Sequence, residues 1–231
     1  MNNIVMVLPF VESAEVVTWT RECYRHITGV DFVGLEEGKD PLFTSADVEM
    51  NVPAMLNRLM LAEKQGYKAG IMGCFGDPGL FAAHQVVAFP VVGPGQSSLL
   101  TASMLGERSM IISPCRNHAY ATEKLVQSYG YSNRVASIRW MNKIGVEACI
   151  TRSEEGVRDT ADICLKEIAE KDIHVVIFGC IGLNWMADDL HRIIAGAGYD
   201  CPVVEPGLTS IAHAKMLLDL KLNQSREMHK L

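Results

Sequence analysis

The sequence predicts an α/β fold of two similar lobes, each a parallel sheet with helices on both faces. Three observations carry that expectation. Short apolar runs alternate with amphipathic stretches along the whole chain, the pattern of β/α layers. A Pro-Gly helix motif occurs twice, as Pro94-Gly95-Gln96-Ser97-Ser98-Leu99-Leu100-Thr101-Ala102-Ser103-Met104-Leu105 and as Pro206-Gly207-Leu208-Thr209-Ser210-Ile211-Ala212-His213-Ala214-Lys215-Met216-Leu217. A Gly-Cys-X-Gly loop also occurs twice, as Gly73-Cys74-Phe75-Gly76 and Gly179-Cys180-Ile181-Gly182, each time behind an apolar run.

Taken in order, the apolar runs predict strands over 4–8, 31–35, 68–72, 91–92, 109–113, 135–140, 174–178 and 202–204. Helical spacing of apolar residues predicts helices over 13–27, 48–65, 78–87, 97–105, 118–128, 155–170, 185–195 and 209–222. Pro53 falls early in the second helix, where it is tolerated. Asp77-Pro78 reads as a cap followed by proline at the first helical position. The first strand ends at Leu8-Pro9 and its counterpart at Ser113-Pro114, so the order strand and Pro loop, strand and Cys loop, Pro-Gly helix is met twice. No low-complexity linker divides the chain. We expect one lobe from 1–93 with 207–231 and a second from 94–206, related by a pseudo-twofold, with the active site in the cleft between them.

At 231 residues the chain can bury a substantial core, and 48% apolar with 21% charged residues is ordinary for a soluble protein. A net charge of −6 with no Lys/Arg run argues against nucleic acid as a partner. No apolar stretch reaches membrane-spanning length, and Met1-Asn2-Asn3 lacks the basic start of a signal peptide. The seven cysteines include no CxxC pair and read as thiols of a cytoplasmic chain. Cys23, Cys149 and Cys164 read as core filler, and Cys201 as structural. The histidines show no HxH or HxxxH spacing, so no metal site is expected. Glu154-Glu155 and Asp188-Asp189 read as solvated helix starts and turns rather than as a glycosidase pair.

Cys74 and Cys180 are the candidate catalytic residues. Each stands at the end of a buried strand and the mouth of a helix, where open α/β sheets place their sites. A thiol titrates near ~8.5 and is mostly protonated at neutral pH. Backbone N–H groups at a helix N-terminus favour the thiolate. The flanking glycines leave such N–H groups accessible beside each sulfur, where they also suit an oxygen that becomes negative as a neighbouring C–H loses its proton. One thiolate and one thiol on opposite walls of a pocket suit removal of a proton from one face of a carbon and its return to the other. The bland alternative is two buried structural thiols.

These residues resemble the Asp/Glu/hydantoin racemase superfamily, in its hydantoin and allantoin racemase branch. The likeness covers most of the chain. It rests on Gly73-Cys74-Phe75-Gly76-Asp77-Pro78-Gly79-Leu80, on Phe89-Pro90-Val91-Val92-Gly93 with Leu100-Thr101-Ala102-Ser103-Met104-Leu105-Gly106, and on Val176-Ile177-Phe178-Gly179-Cys180-Ile181-Gly182. The resemblance implies racemisation by two cysteines without cofactor, pyridoxal phosphate or metal, in a homo-oligomer acting on a small molecule. The amino-acid branch usually carries Cys-Asn and Cys-Thr; Phe75 and Ile181 stand here instead and favour a cyclic ureide. The superfamily's decarboxylases generally keep one of the two thiols. Two departures stand out: Leu8-Pro9-Phe10 replaces a usual Asn-Pro-Asn, and Ala83-His84 a usual Ala-Arg.

Pro9, Phe43, Phe75, Gly76, Gln96, Ser113, Pro114, Ile181 and Gly182 are the candidate substrate contacts. Ser113 stands where the family has a Thr. Phe43 is a candidate apolar wall. The first N–H groups of the Pro94 and Pro206 helices are candidates for ring carbonyls or a carboxylate. His118 is read as surface or capping. Two other readings stay open: an aspartate- or glutamate-type amino-acid racemase, and a non-catalytic relative that binds a small molecule.

Overall fold

The computed structural model describes residues 2–42, 44–142, 152–225 and 227. The chain folds as two compact units, Met1–Pro94 with Ser210–Leu231, and Gly95–Thr209. Each contains a four-stranded, all-parallel sheet.

In the first unit the sheet is built from β1 (Ile4–Val11), β2 (Val30–Leu35), β3 (Ala69–Met72) and β4 (Val91–Val92), in the order β2-β1-β3-β4. The intervening helices are α1 (Glu15–Cys23), α2 (Ser45–Met50), α3 (Val52–Lys64) and α4 (Leu80–Val86). Residues 4–8 of β1 and all of β3 are buried, which is why they read as unbroken apolar runs: helices cover both faces of a parallel sheet. Val5, Val7, Met55, Leu59, Met72 and Leu80 form the centre of this core. Helix α5 (Pro94–Leu105) follows β4 directly.

The second sheet repeats the order as β6-β5-β7-β8, from β5 (Ser109–Ser113), β6 (Val135–Trp140), β7 (Val175–Phe178) and β8 (Val203–Val204). Its helices are α6 (Arg116–Ser128), α7 (Glu154–Lys171) and α8 (Ala187–Gly196), the last preceded by a 3-10 turn over Ile181–Met186. Met110, Ile112, Val176, Phe178, Leu183 and Leu190 are fully buried in its core. Helix α9 (Pro206–Asp219) follows β8 as α5 follows β4. Among the described residues no helix is long and apolar enough to cross a membrane.

The differences from expectation have local causes. β1 runs on to Val11 because pairing with β2 resumes at Val11↔Leu35 past a bulge. Gly34 permits this, since a Cβ there would stand 2.7 Å from Glu12 Cα. The expected helix over 48–65 breaks at Asn51 into α2 and α3, with Pro53 in the first turn of α3. The cap expected of Asp77 is not found: α4 starts at Leu80 behind Gly79, whose φ of +67° suits glycine. Helices α5 and α9 open at their prolines, whose missing N–H has no helical partner to lose.

Candidate active site

Both cysteine loops leave their sheets at the same point. The N–H of Gly73 donates to Val7 O at 2.7 Å, and the N–H of Gly179 donates to Ile112 O at 2.8 Å. Each bond ties the residue before a cysteine to the central strand of its sheet. Both positions require glycine, because a Cβ at Gly73 would meet Val7 O at 2.8 Å and one at Gly179 would meet Ser113 Oγ at 2.6 Å.

Cys74 is half-buried, and its carbonyl accepts the Asp77 N–H at 3.0 Å, closing the loop. Gly76 is exposed, and a Cβ there would have Cys74 Sγ as its nearest neighbour, at 3.9 Å. A side chain at 76 would therefore grow beside the sulfur. Cys180 is also half-buried and caps the 3-10 turn. Its Sγ accepts the Gly182 N–H at 3.4 Å, an orientation that favours negative charge on sulfur. Cys164 and Cys201 differ sharply: both lie in the core of the second unit, where burial pushes their thiols up, Cys201 to about 11. Cys23 is half-buried at the end of α1 rather than core filler, and Cys149 lies outside the described residues.

Of the candidate substrate contacts, Phe75 and Ile181 are buried beside their cysteines, at 3% and 8% exposure. Gly182 and Pro114 are buried, and Gln96 is exposed on α5. Ser113 is fully buried, and its hydroxyl has no hydrogen-bond partner among the described residues. A buried polar atom left unpaired costs free energy, which marks it as a place to look for a ligand. Pro9 is buried at the end of β1. Phe43 lies outside the described residues.

The start of the Pro206 helix is capped from within the protein rather than left open to a ligand. Its first N–H groups are occupied by the protein itself: Glu205 Oε1 accepts from Gly207 at 2.8 Å and Oε2 from Leu208 at 2.6 Å. His118 is half-buried, and burial draws its pKa down.

Asn51 and Glu12 escaped the sequence reading. Asn51 is 1% exposed. Its Nδ2 donates to Pro9 O at 2.8 Å and to Lys39 O at 2.9 Å, while its Oδ1 accepts the Lys39 N–H at 2.6 Å. It thus clamps the C-terminal part of β1 to the segment before α2. The signal was available, since Asn two residues before a proline is a helix-start pattern. Glu12 stands where the β1 loop departs from the family pattern. Burial opposes its ionisation, but the Gly34 N–H at 2.6 Å and the Arg21 guanidinium prevail and hold its carboxyl below the ordinary range.

Two surface grooves, of about 490 and 580 Å³, run along the edge strands β2 and β6 and hold neither cysteine loop. Each cysteine loop stands instead at the C-terminal end of a strand of its own sheet, Cys74 after β3 and Cys180 after β7, the usual place for a site in open parallel sheets.

The chain is similar to known proteins over most of its length. The family model described as Asp/Glu/Hydantoin racemase matches residues 14–217. A hydantoin racemase of Pseudomonas sp. (strain NS671) is 29% identical over 180 residues, covering 78% of this chain and 70% of that protein. A hydantoin racemase of Rhizobium meliloti is 29% identical over 177 residues, covering 75% and 69%. Among solved structures, allantoin racemase from Klebsiella pneumoniae has the same fold, with a TM-score of 0.84 over 96% of this chain and 90% of that one at 21% identity. With its repeated cysteine loops and a match that spans both sheets, the chain belongs to the Asp/Glu/Hydantoin racemase family.

Proposed function

We propose that this protein is a cofactor-independent racemase of a cyclic ureide, a 5-substituted hydantoin or allantoin, and that Cys74 and Cys180 are its two bases. The observation that carries the reading is the equivalence of the two thiols. Each follows a glycine bonded to the central strand of a sheet, and the two sheets have the same strand order. The relatives named hydantoin racemase support the substrate class.

The chemistry follows from the ring. C5 of a hydantoin lies next to a carbonyl, so its proton is weakly acidic. The thiolate of one cysteine takes that proton, and the C–H electron pair moves into the carbonyl as an enolate. The thiol of the other cysteine gives its own proton to the opposite face of C5. The roles exchange for the other enantiomer, so the pair titrates as a unit. The Gly182 N–H at Cys180 Sγ stabilises the thiolate form on that side. Loop N–H groups hold the enolate oxygen, with Gly76 the candidate, while Gly182 borders the ring beside Cys180. Pro9, Phe75 and Ile181 serve as apolar walls, and Gln96, Ser113 and Pro114 border the ring. The enzyme acts as a cytoplasmic homo-oligomer.

Polarimetry on single enantiomers of allantoin, a 5-alkyl hydantoin and aspartate tests this, with wild type, Cys74→Ser and Cys180→Ser. The expected result is decay of rotation for a ring substrate with wild type, and loss of at least about 1000-fold in either variant, because the two groups act as one device. Full activity in either variant would sink the two-thiol scheme. Aspartate as the sole substrate would replace the ring by an amino acid.

A further inference from the structure

The start of α3 gathers three segments of the first unit. Asn51 stands at the cap position of that helix, yet its side chain makes no capping bond to it. The buried amide goes instead to backbone elsewhere: Nδ2 donates to Pro9 O and Lys39 O, and Oδ1 accepts the Lys39 N–H. Gly38 leaves room for it, since a Cβ there would stand 2.8 Å from Oδ1. Val52, the first residue of α3, packs against the Cys74 loop: a Cβ on Gly79 would stand 2.5 Å from Val52 Cγ1. The sheet brings Pro9 to the same place. Val7 pairs with Met72, and a Cβ on Gly73 would meet Leu8 Cδ2 at 2.9 Å. Pro9 therefore follows a residue that touches the neighbour of Cys74. All of these residues lie in the first unit.

We propose that Asn51 is a positioning residue for the substrate wall on the Cys74 side: its amide holds Pro9 and the Gly38–Lys39 segment at the helix start that seats the Cys74 loop. Backbone beyond the end of a strand has no ladder to satisfy it, so its N–H and C=O groups need other partners. A primary amide suits the task, with two donors and an acceptor in one plane. Its two bonds to Lys39 fix that residue as a neighbouring strand would, and its third ties Pro9 to it. The thiol loop is seated separately, by Val52 on Gly79. The amide thus governs how the wall stands against Cys74, and Val52 governs the loop. Gly38 is the complement of Asn51, since a larger residue there would displace the amide.

The kinetic part of the test rests on the two-cysteine racemase reading, with Pro9 as a substrate contact; the thiol-labelling part does not. Two variants of the whole protein reach the amide from opposite sides. Asn51→Asp has the same shape and keeps the Lys39 N–H bond, but sets an oxygen against the Pro9 and Lys39 carbonyls. Gly38→Ala keeps Asn51 and pushes on its Oδ1. Both are measured at a temperature where circular dichroism shows them folded. KM for the ring substrate should rise about tenfold with kcat held within about threefold, because a wall that binds ground and transition states alike acts on KM. Alkylation of Cys74 by iodoacetamide, read peptide by peptide in a mass spectrometer, should quicken about fivefold as the wall loosens. Cys23, half-buried in the same unit, should keep its rate. If Asn51→Asp does not fold, Gly38→Ala decides alone. Unchanged KM and Cys74 rate in a folded variant would reduce Asn51 to a stabilising residue and overturn the proposal. A fall in kcat with KM unchanged overturns it too, as does equal quickening of Cys23 and Cys74, which would mean general loosening. Should wild type racemise nothing, the racemase reading falls and the ratio of Cys74 to Cys23 labelling still decides the role of Asn51.

Discussion

The hydroxyl of Ser113 lies against the backbone of Gly179, 2.6 Å from the point a Cβ would occupy there. The end of β5 and the start of the Cys180 loop are therefore packed without space for one more carbon. Two outcomes follow. Gly179→Ala should displace either the serine or the loop, costing about 1–3 kcal/mol as an overpacked site does, measured by chemical denaturation. Ser113→Ala should leave stability unchanged or raise it, because the buried hydroxyl it removes has no partner among the described residues. If Ser113 contacts the ring, the same variant raises KM about fivefold to tenfold, the worth of one hydrogen bond. An unchanged KM would confine Ser113 to packing.

Asn51 should matter more for stability than its place between two helices suggests. Asn51→Leu leaves the Pro9 carbonyl and both Lys39 backbone groups without their side-chain partner. The buried Pro9 carbonyl stripped of its bond costs about 1–3 kcal/mol and the part-buried Lys39 bonds less, so a total loss of about 3 kcal/mol is expected in urea denaturation. Hydrogen exchange should rise at Lys39, whose N–H donates to Asn51 Oδ1.

Acid should weaken the second unit through Glu167. Burial opposes ionisation of this carboxylate, but Ser137, Lys171 and Arg139 outweigh it and hold its pKa below the ordinary value. A depressed carboxylate contributes stability that is whole above the unfolded-chain value of about 4.3 and is lost as pH falls through the lower folded value. Glu167→Gln should remove about 2 kcal/mol at pH 7, less than a fully buried pair would, since Arg139 and Lys171 are 40% and 33% exposed. The variant should also flatten the stability–pH curve below that range. A wild-type curve already flat there would show that the cluster contributes nothing.

The cysteines should separate by reactivity. In the native protein at pH 8, iodoacetamide should label Cys74 and Cys180 and leave Cys164 and Cys201 untouched, because burial keeps the latter two as neutral thiols. Labelling of Cys201 should appear only with unfolding. Equal labelling of all four in folded protein would contradict the packing of this core.

Much of this was legible in the sequence. Each of the eight apolar runs falls on an observed strand, and the inner strands β3 and β7 are buried throughout because helices cover both faces of their sheets. The likeness of the Cys74 and Cys180 loops was visible because glycine suits a close approach of backbone to backbone, as Gly73 makes to Val7 and Gly179 to Ile112. Polar roles were harder to read. Asp77-Pro78 has the look of a helix start, yet its carboxylate goes to Gly93. Local grammar was overridden by a partner sixteen residues away.

The sequence by itself thus determined the layered fold, the repeat and the two thiols, since burial and close approach leave their mark on the residues concerned. Only the tertiary structure decided where the polar side chains spend their hydrogen bonds: Asn51 on Pro9 and Lys39, Glu205 on α9. The physical reason is that a carboxylate or amide reaches any donor that folding brings within about 3 Å. Its own position in the chain says little about which donor that is.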